Sequence, residues 1–186
     1  VYRITEQGAV TSTGNDFDMA ISGKGYFRVE LPDGREAYTR AGNFGISSDG
    51  RIVTEDGYEV LPGISLPEDV VDVSISKDGV VEARVAGDQS AREIGRLDLA
   101  VFFNESGLEA IGDNLLLETT ASGEPVIGNP GDPGFGSVLQ GYLENANVDP
   151  VQEITTLIAA QRAYEMNARV IETSDEMLSI NANLRR

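Results

Sequence analysis

The stretch that most constrains this chain is its end, where Asp149-Pro150 opens a run with no further Pro or Gly through Leu184. Asp149 suits an N-cap, Pro150 the first helical position, and Gln152 stands three residues after the cap, so the sequence predicts a helix from Val151 to about Leu184. Within it, Ile154, Leu157, Gln161, Tyr164, Ala168, Ile171, Asp175 and Leu178 alternate at spacings of three and four, a heptad seam. At 1.5 Å per residue such a helix is a rod of roughly 50 Å, longer than a small domain is wide. It calls for a partner helix. Gln161 and Asp175 are polar seam positions, which either fix register in an assembly or mark the sideways drift of a broader stripe that includes Ala160, Ala163, Val170, Met177 and Leu184.

Upstream of Asn147 nothing reads as a long helix. Ala9 to Thr13, Phe17 to Ile21, Tyr26 to Leu31 and Ala37 to Arg40 are β-rich or alternating runs. Asp-Gly pairs at 33–34, 49–50, 56–57 and 78–79 punctuate further runs at Ile46, Arg51 to Thr54, Tyr58 to Leu61, Val70 to Ile75 and Val80 to Val85. These pairs predict hairpin loops, because both residues tolerate positive φ. A longer strand is expected over Gly95 to Phe103, another over Leu115 to Thr119, an irregular loop over Gly123 to Gly136, and a last strand over Val138 to Tyr142. The fold class is mainly β: a hairpin-rich core over 1–142, followed over 143–186 by one long C-terminal α-helix.

Composition narrows the chemistry. The chain has 186 residues, enough for one core plus the helix, and neither His nor Cys, which removes imidazole acid-base catalysis, thiol nucleophiles, disulfides and most zinc sites. Residues 1–150 carry 26 acidic against 10 basic side chains, whereas 151–186 carry 5 against 4. An acidic body repels phosphate backbones and anionic lipid, so nucleic acid and membrane surfaces are poor partners. No secretory leader and no apolar run near 18 residues is present, so no membrane insertion is expected. The chain opens on Val1 rather than Met, and an upstream segment supplying the partner helix is expected.

Candidate sites are few. Gly23-Lys24-Gly25 lacks the spacing of a phosphate-binding loop and precedes a strand, so it reads as a tight turn. Asp16 and Asp18 form a possible carboxylate pair, but no catalytic partner is indicated and surface or loop roles are expected. The Asp-Gly pairs lack the twelve-residue calcium-loop spacing. No cofactor and no metal is called for. A β-rich glycan-binding module using exposed Tyr and Phe, or a carboxylate-dependent glycosidase, are the rival readings. The six Tyr and six Phe are scattered, which weighs against the first.

The run Thr11 to Phe27, with Gly25 and Phe27, and then Tyr38-Thr39-Arg40-Ala41-Gly42-Asn43-Phe44, resembles the N-terminal core of the bacterial flagellar rod and hook protein family. Gly141 to Asp149, containing Asn147 and Val148, and then Gln161-Arg162-Ala163-Tyr164-Glu165-Met166-Asn167, is similar to that family's terminal signature. The mid-chain pattern around Phe103-Asn104, Gly107-Leu108-Glu109 and Gly112 to Leu115 lies nearest the branch that builds the distal rod; the proximal rod and hook branches are the alternatives. The resemblance implies a structural subunit rather than an enzyme, stacked helically with copies of itself. Terminal helices would form an inner tube and the β domain an outer layer. Implied partners are the proximal rod and hook proteins and the P and L rings around the rod. The implied location is the periplasm-spanning rod of the basal body, reached through the flagellar type III export apparatus. The family's N-terminal helix is not in this chain, and its seam is expected to need that helix or a neighbouring subunit.

Overall fold

A computed structural model describes residues 6–87, 90–148 and 150–184, the side chains at 150, 175 and 178–184 excepted. The chain falls into two compact units, Val1–Asn147 and Val148–Arg186.

The first unit is built almost wholly of antiparallel strands. In order they are β1 (Val10–Ser12), β2 (Met19–Ser22), β3 (Phe27–Glu30), β4 (Glu36–Thr39), β5 (Phe44–Ile46), β6 (Ile52–Thr54), β7 (Glu59–Val60), β8 (Val70–Ile75), β9 (Val80–Val85), β10 (Arg92–Arg96), β11 (Leu99–Val101), β12 (Glu109–Gly112), β13 (Leu115–Leu117), β14 (Val126–Gly128), β15 (Ser137–Gln140) and β16 (Tyr142–Glu144), with one 3-10 turn at Glu105–Gly107. A seven-stranded sheet runs β12-β13-β4-β3-β7-β6-β5, a three-stranded sheet runs β10-β9-β8, and β1–β16, β11–β14 and β2–β15 form pairs.

The Asp-Gly hairpins form as their turn chemistry requires. In each of the four, the Gly N–H donates to the carbonyl three residues back, at 2.9 to 3.0 Å, with Gly34, Gly50, Gly57 and Gly79 all at φ between +77° and +87°. The residue at that carbonyl then donates its own N–H one position past the glycine, as Leu31 does to Arg35 and Ser76 to Val80. This is a type I turn closed by a glycine bulge, in which only the left-handed φ lets the strands rejoin.

Alternation along β3 decides which faces meet. Phe27 and Val29 are fully buried and pack with Met19, Ile21, Phe44, Val60, Val81, Leu99 and Val138 in the main core. Tyr26 and Tyr38 join Ala100, Phe102 and Leu108 in a smaller second cluster, with the Tyr38 and Phe102 rings edge to face at 4.7 Å. Each large apolar side chain so buried contributes roughly 1.5 to 3 kcal/mol, which makes β3 and β4 the centre of this unit.

Several expectations are corrected. The single strand over Gly95 to Phe103 is two, because after Arg96 the chain leaves β9 and from Leu99 pairs with β14, while Ala100 bridges Tyr26. The irregular loop over Gly123 to Gly136 contains β14, three residues ordered by β11. The run Val138 to Tyr142 is divided at Gly141 (φ +77°) into β15, on β2, and β16, on β1. Asp18 is neither a surface nor a loop residue. It bridges Asn43, is buried, and its carboxylate accepts hydrogen bonds from Thr13 Oγ1 and Asn15 Nδ2.

The second unit is the helix α1 (Pro150–Leu184), uninterrupted over 35 residues. Thr155, Thr156 and Thr173 return their hydroxyls to the carbonyls four residues back, so these polar groups are satisfied inside the helix. The expected N-cap, Asp149, lies outside the described residues, as do the side chains of Asp175 and Leu178. No described helix is long and apolar enough to cross a membrane.

Candidate assembly interface

Two features stand out: a tightly bonded root where both ends of the β unit converge, and a helix whose described apolar side chains are all exposed.

At the root, β1 pairs with β16 through Val10–Glu144, Thr11–Leu143 and Ser12–Tyr142. A two-stranded ladder of three pairs is marginal by itself, and side chains add the rest. Arg40, just past β4, donates from Nη2 and Nε to Glu144 Oε2 at 2.8 and 3.0 Å, and reaches the Gly23, Gly25 and Ile21 carbonyls with the same guanidinium. Glu144 Oε1 in turn accepts from Gly8 N–H at 2.9 Å. Gln7 spans Ile21 O and Gly23 N–H, and Asn147 Nδ2 donates to Glu6 O. One planar cation thus ties the β2–β3 loop, the end of β4 and β16 together, a task for a guanidinium rather than an ammonium.

The motif residues of the first half are explained by this packing. Phe27 and Phe44 meet edge to face at 5.0 Å, and Thr39 Oγ1 accepts from Ala41 N–H. Gly42 has no room for a side chain: a Cβ there would stand 1.5 Å from Met19 O, because Gly42 O receives the Met19 N–H. Gly25, at φ +137°, lets the chain turn into β3 against Leu99. Tyr38 is buried, and its phenol is pushed up to about 12 by that burial, helped by the negative charges of Glu36 and Glu118.

On the other face of β3, Arg28 lies between Glu36 and Asp98, at 2.8 and 2.6 Å. Burial works against the Arg28 charge, but the two carboxylates outweigh it and hold its pKa above the usual arginine value. Burial also pushes Asp98 up despite Arg28 beside it, and its Oδ1 is the one buried side-chain nitrogen or oxygen without a hydrogen bond among the described residues.

In the helix, every described side chain from Val151 through Ser174 is exposed. Of the seam residues, Ile154 is 58%, Leu157 68%, Tyr164 77% and Ile171 64% exposed, and Gln161 and Ala168 lie open on the same stripe. Arg162, Glu165 and Asn167 are exposed as well, Val148 lies half-exposed, and Met166, Val170 and Met177 add a second apolar strip. Sequence reasoning did not single out Glu144 or Gln7, since a bond between Arg40 and a residue 104 positions away leaves no periodicity to find. Asp16, the other half of the suspected carboxylate pair, is exposed and set apart from Asp18 by the turn into β2.

A rigid β unit with a long, openly apolar helix defines an assembly protein, and family comparison gives the class. The model described as Flagellar hook protein FlgE/F/G D1 domain matches residues 20–83, and Flagellar basal body rod FlgEFG protein C-terminal matches 139–184. Among individual relatives, Flagellar basal-body rod protein FlgG of Caulobacter vibrioides is 56% identical over 185 residues, covering 100% of this chain and 71% of that protein. The FlgG of Bacillus subtilis is 43% identical over 98% of this chain and 70% of its own length. Flagellar basal-body rod protein FlgF of Caulobacter vibrioides is 36% identical over 95% of this chain and 69% of its own length. The chain belongs to the flagellar basal-body rod protein FlgG family.

Proposed function

We propose that this chain is a structural subunit of the flagellar distal rod, polymerising helically into the shaft that crosses the periplasm and carries the hook, and that it acts without catalysis. The observation that carries this reading is the exposed seam. Burying the rest of Ile154, Leu157, Tyr164 and Ile171 is worth roughly 1 to 2 kcal/mol each, repeated in every subunit. The β unit, which runs on through β16 to Asn147, forms the outer layer, and the helix α1 joins the inner tube with an N-terminal helix of the same or a neighbouring subunit. Nearer likeness to FlgG than to FlgF favours the distal over the proximal rod. Other partners are the proximal rod and hook proteins end to end and the P and L rings around the shaft. Export through the flagellar type III channel is compatible with a chain free of disulfides. Cells whose only copy ends at Asn147 test the reading: basal bodies without hooks are expected, together with a truncated product that still melts cooperatively. Hook-bearing, swimming cells would overturn it.

A further inference from the structure

The aromatic residues are scattered along the sequence, but the fold sets one of them in a hollow with two carboxylates. Phe103 is 101% exposed, so its ring lies open to solvent, while its neighbour Phe102 is 4% exposed in the second core cluster. The hollow at this ring has a volume of about 480 Å³ and is lined also by Glu6, Lys24, Arg40, Glu105 and Ser106. That volume lies within the range of roughly 300 to 1,000 Å³ usual for small-molecule sites.

The backbone that carries Phe103 is held in place without a ligand. Glu105–Gly107 form a 3-10 turn seated on the 119–122 loop: a Cβ at Gly107 would stand 2.6 Å from Ala121 C and Ser122 N, and Thr119 Oγ1 donates to Gly107 O at 2.7 Å. Asn104 Nδ2 donates to Ala121 O at 2.9 Å, and the hydroxyl of the buried Tyr26 donates to Glu105 Oε2 at 3.3 Å. A site ordered in advance has less freedom to lose on binding.

The charges in the hollow exclude more than they admit. A cationic ligand would meet Lys24 and Arg40 there, and an anionic one Glu6 and Glu105, so a strongly charged ligand of either sign is disfavoured. Arg40 is already engaged by Glu144, which leaves Lys24 as the donor to a ligand. A carboxylate only accepts hydrogen bonds and an ammonium only donates them, whereas a hydroxyl does both. An uncharged ligand rich in hydroxyls therefore satisfies both kinds of group at once. The open face of an aromatic ring, with its negative potential, suits the C–H face of a pyranose.

We propose that this hollow binds an uncharged sugar of a glycan chain, seated by its C–H face on Phe103, with hydroxyls donating to Glu105 and Glu6 and accepting from Lys24. The site goes beyond the rod reading and does not depend on it. In the outer layer of a rod it would bring the shaft into contact with surrounding polysaccharide.

Amide NMR of the purified, isotope-labelled chain tests this with two neutral probes, cellotetraose and tetra-N-acetylchitotetraose. At millimolar concentration at least one of them should saturably shift the amides of Phe103, Asn104, Glu105, Ser106 and Lys24. Binding by either supports the site, and the comparison tells whether an acetamido group is read. Phe103→Ala should weaken that binding by about tenfold, the worth of one stacked ring, and Phe103→Trp should retain it. Both variants should melt at the wild-type temperature, because the side chain replaced is fully exposed. No saturable shift with either sugar, undiminished binding by Phe103→Ala, or tighter binding of tetralysine or tetragalacturonate at these residues would overturn the site. Each of those results leaves the rod assignment, which rests on the helix, standing.

Discussion

Replacing Arg40 by Met tests whether the root of the β unit is held by one guanidinium. The substitution keeps most of the aliphatic stem but removes the donors to Glu144 at 2.8 and 3.0 Å and those to the carbonyls of Gly23, Gly25 and Ile21 at 3.1 to 3.4 Å. Glu144, whose side chain is 11% exposed, keeps only the Gly8 N–H. Breaking a fully buried ion pair costs about 3 to 5 kcal/mol, and a charge-assisted hydrogen bond contributes about 1.5 to 3. The Arg40 side chain is 21% exposed, so water reaches part of the site, and a loss of about 2 to 3 kcal/mol is expected. Arg40→Lys, which keeps the charge but cannot span loop and carboxylate together, should fall between. Urea unfolding of the full chain, followed by circular dichroism in the β region, should show the midpoint drop by about 1 M for Arg40→Met. A change below about 0.5 kcal/mol, the range of an ordinary surface substitution, would refute the reasoning.

Tyr38 gives a pH signature. Its folded pKa, about 12, stands above the unfolded value of 10.0. Its contribution is therefore complete below pH 10 and is lost as pH rises from 10 through 12, a difference of about 2 to 3 kcal/mol between wild type and Tyr38→Phe in a stability-versus-pH series; parallel curves over that window would contradict it. At Gly42, where a Cβ meets Met19 O at 1.5 Å, Gly42→Ala should cost at least about 2 kcal/mol. Gly45→Ala, with nothing within 4 Å, should be far milder, and equal losses in thermal unfolding would show that the close approach relaxes freely.

The contrast between hairpins and root shows which features the sequence makes legible. Asp-Gly turns are local: a positive φ and an i to i−3 hydrogen bond are decided within four residues, so those four hairpins can be read directly. The β domain followed by one unbroken helix is legible too, through the absence of Gly and Pro after Pro150 and their density before it. Pairings across long separations are not. β14 is three residues in a Gly- and Pro-rich stretch and exists because β11 lies beside it, and the break at Leu97-Asp98 follows from a change of strand partner that no periodicity records. Asp18 reads as a surface or loop acid in the sequence because Thr13 and Asn15, which bind it, are polar residues of a turn-like stretch with no periodicity. In the helix, spacing reveals an apolar stripe, whereas the choice of partner depends on chains outside this one.

The central claim is that the apolar face of α1 joins subunits, and Ile171→Asp tests it most directly. Ile171 is 64% exposed and one heptad from Tyr164, so a carboxylate there places a charge where a neighbouring helix would pack. In the full-length protein it should stop rod completion, leaving cells without hooks or filaments, with the β unit's unfolding free energy within about 0.5 kcal/mol of wild type. Glu172→Gln, one residue on, should leave swimming nearly intact. Normal swimming by the Ile171→Asp strain, or a β unit destabilised together with the helix, would contradict the claim.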